Sequence, residues 1–202
     1  MSRDMPEAVA RRRAAAVAGH RGDVATARRY VDDSDPGVRA TALGALARSG
    51  GLTLDDLARG FADAEPSVRA RAAELTATWP GDGPPELRPL LEDPDPAVVE
   101  AAAWACGERQ PPEPGVVAVL ASVATDHDDP LCREAAVAAL GALGDPEGLP
   151  AILTATKDRP AVRRRAVLAL APFDGPEVEA ALARAMEDRD WQVRQAAEDI
   201  TR

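Results

Sequence analysis

Asp33-Ser34-Asp35-Pro36-Gly37-Val38-Arg39-Ala40-Thr41-Ala42-Leu43-Gly44-Ala45-Leu46 sets a rhythm that returns along the whole chain. Its proline recurs as Pro66, Pro96, Pro130 and Pro160, with Trp191 in the sixth slot, at steps of 30, 30, 34, 30 and 31 residues. Two residues on stand Val38, Val68, Val98, Cys132, Val162 and Val193. Six residues on stand Ala42, Ala72, Ala102, Ala136, Ala166 and Ala197. Fixed columns at a period near 30 mean a stack of similar supersecondary units, each burying its apolar face on its neighbours.

Working outward from the proline, each unit reads as two antiparallel helices. Leu54, Leu57, Ala58 and Phe61 share one stripe before the second proline, as do Val178, Ala181, Leu182, Ala185 and Met186 before Trp191. An acidic turn follows, as in Asp63-Ala64-Glu65 and Asp188-Arg189-Asp190. The second helix then begins by a plain rule: Asp35, Asp95 and Asp129 cap free backbone N–H groups, and proline sits where its missing N–H is harmless. The alanine column is expected where neighbouring helices come closest. Glycine and proline end the pairs at Gly50-Gly51, at Pro80 to Pro85, at Pro111 to Pro114 and at Pro172 to Pro176. The longer fourth step takes up its extra residues between Gly107 and Pro130. Pro6 to Ala18 reads as a lone capping helix, and Glu198 and Asp199 mark a solvent-facing last helix.

Bulk composition agrees with an elongated helical stack. Aromatic residues are only 3%, so the core is built from Ala, Val and Leu. The 34 acidic and 24 basic residues leave a net charge of −10, which disfavours general attraction to nucleic acid or anionic membrane. Lys157 is the single lysine. Cys106 and Cys132 fall in apolar columns and read as reduced, buried thiols. Met1 to His20 carries Arg11-Arg12-Arg13 with no long apolar run, so neither a secretory signal nor a membrane span is expected, and a cytoplasmic location follows by default.

The pattern Asp-x-Asp-Pro-x-Val-Arg-x-x-Ala-x-x-Ala-Leu, best seen in Asp33 to Leu46 and Asp129 to Leu140, resembles the HEAT-repeat family, and specifically its short, phycobilisome-lyase-type HEAT-like repeats. The resemblance implies an all-α, right-handed α-solenoid (an armadillo-like superhelix) of about six helix pairs plus an N-terminal cap. It divides a single domain, 1–202, into a cap at 1–20 and repeats at about 21–50, 51–82, 83–110, 111–144, 145–173 and 174–202. It also implies that second helices line a concave groove, and a role as a protein-binding scaffold more often than as a catalyst.

Three residue sets invite a function. The column Arg39, Arg69, Arg133, Arg163 and Arg194, broken by Val99, reads either as a phosphate ladder or as a structural ladder onto acidic turns such as Asp33, Asp63, Asp93 and Asp188. The shared period of acids and arginines favours structure. Eight residues after the repeat proline stand Trp104, Ala138 and Leu168, either an exposed apolar strip or side chains folded into the helical seam. Glu100 and Glu134 edge that strip with acid, and Arg71 and Arg164 make the groove locally basic. Trp79 and Trp191 read as packing residues.

Catalytic chemistry finds little footing. His20 and His127 are the only histidines, and Asp126-His127-Asp128-Asp129 reads as an acidic turn before it reads as a metal site. No His-Glu pair of the kind that HEAT-like deoxyhypusine hydroxylases use for iron is present, and no cofactor is expected. A binding module for a protein or peptide, without catalytic residues, is the leading reading. A phycobilin-lyase-like enzyme or subunit comes second, and a HEAT-like DNA-binding or glycosylase-type protein third, disfavoured by the acidic charge. The columns leave oligomeric state open.

Overall fold

Proline at the first helical position sets the beat of the structure. The computed structural model describes residues 4–80 and 83–201, with side chains from residue 7 onward. Met1 to Arg3 of the capping segment, Gly81 and Asp82 of the Pro-Gly break and Arg202 of the last repeat lie outside the described residues. The described residues form helices and contain no strand.

The helices are α1 (Asp4–Arg21), α2 (Val24–Arg28), α3 (Pro36–Ser49), α4 (Leu54–Phe61), α5 (Pro66–Thr76), α6 (Pro96–Glu108), α7 (Val116–Asp126), α8 (Pro130–Leu143), α9 (Leu149–Ala155), α10 (Pro160–Ala169), α11 (Pro176–Met186) and α12 (Trp191–Thr201). Asp35, Asp95 and Asp129 cap α3, α6 and α8, accepting from Val38 N (3.0 Å), Ala97 N (3.0 Å) and Leu131 N (2.8 Å). α8 stops on Gly144, whose φ of 62° lies in the left-handed region.

The chain gathers into two compact units, Met1–Glu86 and Leu87–Arg202. In the first, α1 packs on α3 and α3 on α5, with α2 against α3 and α4 against α5. In the second, α6, α8, α10 and α12 pack in succession, with α7 against α8, α9 against α10 and α11 against α12. The first helices of repeats one and three are shortened. α2 has five residues, and repeat three has only a 3-10 turn at Arg88–Glu92. Pro84, Pro85 and Pro89 lie in and before that turn, and each lacks the N–H a longer helix needs.

The valine and alanine columns form the spine of both cores. All six alanines, from Ala42 to Ala197, are fully enclosed, and so are Val38, Val98, Cys132 and Val162. A Cβ placed on Gly60 of α4 would lie 2.6 Å from the Ala72 Cβ, so Ala72 faces the first helix of its own repeat. Successive second helices approach closely further along: a Cβ on Gly107 would meet the Ala139 Cα at 2.9 Å, and one on Gly141 the Ala169 Cα at 2.7 Å. These two glycines let backbone approach backbone where any side chain would intrude.

Cys106 and Cys132 are unpaired and buried. Burial pushes the Cys106 thiol up to about 12 and the Cys132 thiol to about 11, so neither is a ready nucleophile. Trp79 is half-buried against the Leu43, Leu57 and Leu75 cluster. Trp191 differs from its expected packing role. It is 65% exposed, because it occupies the first turn of α12, where the other repeats carry an exposed or half-exposed proline.

Candidate functional site

The arginine column is the first charged feature that the fold organises. Arg39 reaches Asp63 with Nε (2.8 Å) and Nη2 (2.7 Å), Arg133 reaches Asp158 (2.6 and 2.9 Å), and Arg163 reaches Asp188 (2.9 and 2.8 Å). Each is a two-point guanidinium–carboxylate pair between one repeat and the next. The remaining nitrogen, Nη1, donates to carbonyls of the arginine's own turn: Arg39 to Asp33 O, Arg133 to His127 O and Arg163 to Asp158 O. Arg69 and Arg194 make the same turn contact, to Asp63 O (2.9 Å) and Asp188 O (2.7 Å). The guanidiniums are thus engaged, and the carboxyls of Asp63, Asp158 and Asp188 are held below their ordinary range chiefly by hydrogen bonds from those arginines.

Two partners in this network were not visible in the columns. Asp158 stands one residue after the slot used by Asp33, Asp63 and Asp188, which Lys157 occupies. Arg11 of α1 pairs with Asp33 through Nε (2.7 Å) and Nη2 (3.1 Å), from an offset that no later repeat shares. A third charged centre, Glu113, lies in the inserted loop before α7. Buried to 6% exposure, it accepts from Leu87 N (2.7 Å) and Arg88 Nε (2.9 Å), with Arg109 at 3.5 Å. Nothing in the repeat pattern marks it, since the insertion has no counterpart elsewhere.

The second feature is the outward face of α6, α8 and α10. Trp104 is 45% exposed at the middle of α6, and Glu100, one turn earlier on the same face, is exposed. α8 presents Glu134 and Ala138 at the matching positions, and α10 presents Arg164 and Leu168; all four are half-buried. The strip is therefore mixed. Trp104 stands out to solvent, while Leu168 leans on the Val167, Val193 and Ala197 cluster. Glu134 pairs with Arg165 of α10 at 3.4 Å, and no ion pair reaches Glu100 or Arg164 among the described residues. Arg71 lies in the first unit, where it holds Glu74 at 2.7 Å and covers Gly44.

Among the described residues no three His, Cys, Asp or Glu side chains gather as metal ligands would. His127 Nδ1 accepts from Asp129 N at 3.0 Å, which gives the ring a turn-closing role. No described helix is long and apolar enough to cross a membrane.

A family model described as HEAT repeats matches residues 54–141 and 84–160, together more than half of the chain. The chain is a HEAT-repeat protein. No curated protein matches it by sequence. Among solved structures, Escherichia coli YibA is 16% identical, with a TM-score of 0.66, covering 98% of this HEAT-repeat chain and 73% of YibA. Human deoxyhypusine hydroxylase, solved with glycerol, is 20% identical with a TM-score of 0.50, covering 96% and 78%. A designed armadillo repeat protein, solved in complex with peptide (KR)4, is 16% identical with a TM-score of 0.51, covering 96% and 90%. These likenesses establish an all-α HEAT/armadillo-type solenoid fold and nothing finer.

Proposed function

We propose that this HEAT-repeat protein is a non-enzymatic scaffold that binds a partner protein or peptide on the outward face of its second helices, centred on Trp104. The observation that carries the reading is the uncovered indole. The same position in the other repeats is Gly44, Glu74, Ala138, Leu168 or Asp199, so the repeat architecture has no need of an aromatic there. A half-exposed tryptophan set among alanines offers a large, rigid contact area that becomes favourable once a partner excludes water. Glu100 and Arg164, both without ion-pair partners among the described residues, supply polar edges that would fix orientation. The designed armadillo relative carries a peptide on the same class of fold, which accords with this reading. The buried reduced thiols accord with a reducing, cytoplasmic setting.

The test is a quantitative pull-down from native extract with wild type and with Trp104→Ala/Arg164→Glu. Leu168 is left intact because it packs on the core. Circular dichroism checks that the variant folds. The reading expects a partner retained by wild type and lost by the variant; identical partner lists from two folded proteins would contradict it.

A further inference from the structure

Two clefts lie at equivalent places in the repeat, and they differ in one chemical respect. The first, about 340 Å³ in the Met1–Glu86 unit, is lined by Val31, Asp32, Leu43 and Asp63 among others. Its own arginines fill it with charge. Arg39 holds Asp63 at 2.7 Å, and Arg59 stands 4.0 Å from Asp32 and 3.9 Å from Asp56. The second, about 450 Å³ in the Leu87–Arg202 unit, opens between the 3-10 turn Arg88–Glu92 and α7.

Counted from the repeat prolines, five lining residues of the second cleft, Leu91, Glu92, Val123, Asp126 and His127, correspond to lining residues of the first. Leu91 stands where the first has Val31, Glu92 where it has Asp32, and Asp126 where it has Ala62. Both arginines are gone: Val99 replaces Arg39 and Val123 replaces Arg59. His127 replaces Asp63, so the missing ladder rung has lost both of its members together. What remains is an apolar floor of Leu91, Val119 and Val123 with Glu92 and Asp126 exposed at its edge. Asp126 accepts one hydrogen bond, from Ser122 Oγ at 3.3 Å, and no ion pair reaches it or Glu92 among the described residues. The shortened first helix of repeat three, the turn Arg88–Glu92, itself lines this place through Leu91 and Glu92, so a further departure from the repeat pattern falls on it.

We propose that this cleft receives an arginine side chain from a partner polypeptide, replacing the guanidinium that the first cleft supplies from its own chain. The methylene stem lies over Leu91, Val119 and Val123, and the planar fork faces Glu92 and Asp126. The site is separate from the Trp104 face and stands or falls independently of it.

The experiment is a titration of the ¹⁵N-labelled protein with Nα-acetyl-arginine N-methylamide, followed by amide shifts, with the neutral citrulline analogue as control. Saturable shifts centred on Glu92, Val119, Ser122 and Val123 are expected with arginine and not with citrulline. Glu92→Gln/Asp126→Asn, both at exposed positions, is expected to weaken binding about tenfold or more. Val123→Arg, which restores the pattern of the first cleft, is expected to block the probe. Should that variant fail to fold, the carboxamide pair carries the test alone. Shifts spread over the acidic surface, shifts centred on Trp104, equal response to citrulline, undiminished binding by the carboxamide variant or no shift at all would each overturn the proposal.

Discussion

Arg163 grips Asp188 from the next repeat at 2.8 and 2.9 Å while its third nitrogen holds the Asp158 carbonyl of its own turn at 2.8 Å. At 8% exposure the residue is, with Asp56 and Glu113, one of the buried charged residues among those described. One residue therefore ties a turn together and joins two repeats. Removing it leaves the half-buried Asp188 carboxylate with the Asp190 N–H but no guanidinium, and leaves the Asp158 carbonyl without that donor. Arg163→Ala is expected to destabilise the protein by about 2–4 kcal/mol. The neighbouring Arg164→Ala, which breaks no ion pair among the described residues, is expected to change stability by less than about 0.5 kcal/mol. Denaturant unfolding of the two variants side by side makes the comparison.

Acid should act through the same pairs. The Asp63, Asp158 and Asp188 carboxyls titrate below their unfolded range, because guanidinium and backbone donors favour the charged form over the opposing effect of burial. A carboxyl depressed on folding contributes stability that is complete above its unfolded pKa of about 3.9 and is lost as pH falls through the folded value. Stability is expected to hold from neutrality down to about pH 5 and to fall below about pH 4. Asp188→Asn is expected to be less stable than wild type at pH 7, with the gap narrowing as pH drops. Urea midpoints across that range read both expectations.

Gly141 tests the closeness of the second helices. In an isolated helix, glycine to alanine is favourable by about 1 kcal/mol. Here the new Cβ would sit 2.7 Å from the Ala169 Cα and 3.1 Å from its carbonyl oxygen, and backbone cannot swing aside as a flexible side chain can. Overpacking of this kind costs about 1–3 kcal/mol, so the clash outweighs the propensity gain. Gly141→Ala is expected to lower the thermal midpoint, and a rise would show that the helices separate more easily than this packing implies.

Glu113 anchors the inserted loop to the segment before α6. Its carboxylate is buried and receives Leu87 N, Arg88 and Arg109. Glu113→Ala leaves an N–H and two guanidiniums without that acceptor, and a loss of about 3 kcal/mol is expected in equilibrium unfolding. Hydrogen exchange should quicken first at Leu87.

These cases show which features are legible in the sequence. The proline, valine and alanine columns are dictated by helix starts and by core packing that repeats identically, so spacing reveals them. Asp158, Arg11 and Glu113 are not, because Asp158 and Arg11 take up their roles at slots that no other repeat uses for them and Glu113 lies in an insertion, and a single occurrence has no period. The shortened first helix of repeat three is signalled by Pro84, Pro85 and Pro89 only after the chain is placed in register. The Trp104 strip is half legible: period places Trp104, Ala138 and Leu168 on one face, but side-chain length and neighbouring packing decide that only the indole stands clear.

The central claim, that the face around Trp104 binds a partner polypeptide, is tested most directly by selecting random twelve-residue peptides on wild type and measuring the affinity of the enriched sequences for two variants. Trp104→Ala removes the proposed anchor. Trp191→Ala removes an indole that is more exposed, at 65% against 45%, from a different helix. The account predicts peptides whose binding falls at least about tenfold with Trp104→Ala and is unchanged with Trp191→Ala, in keeping with a buried aromatic anchor. Peptides that bind wild type and Trp104→Ala equally would contradict it.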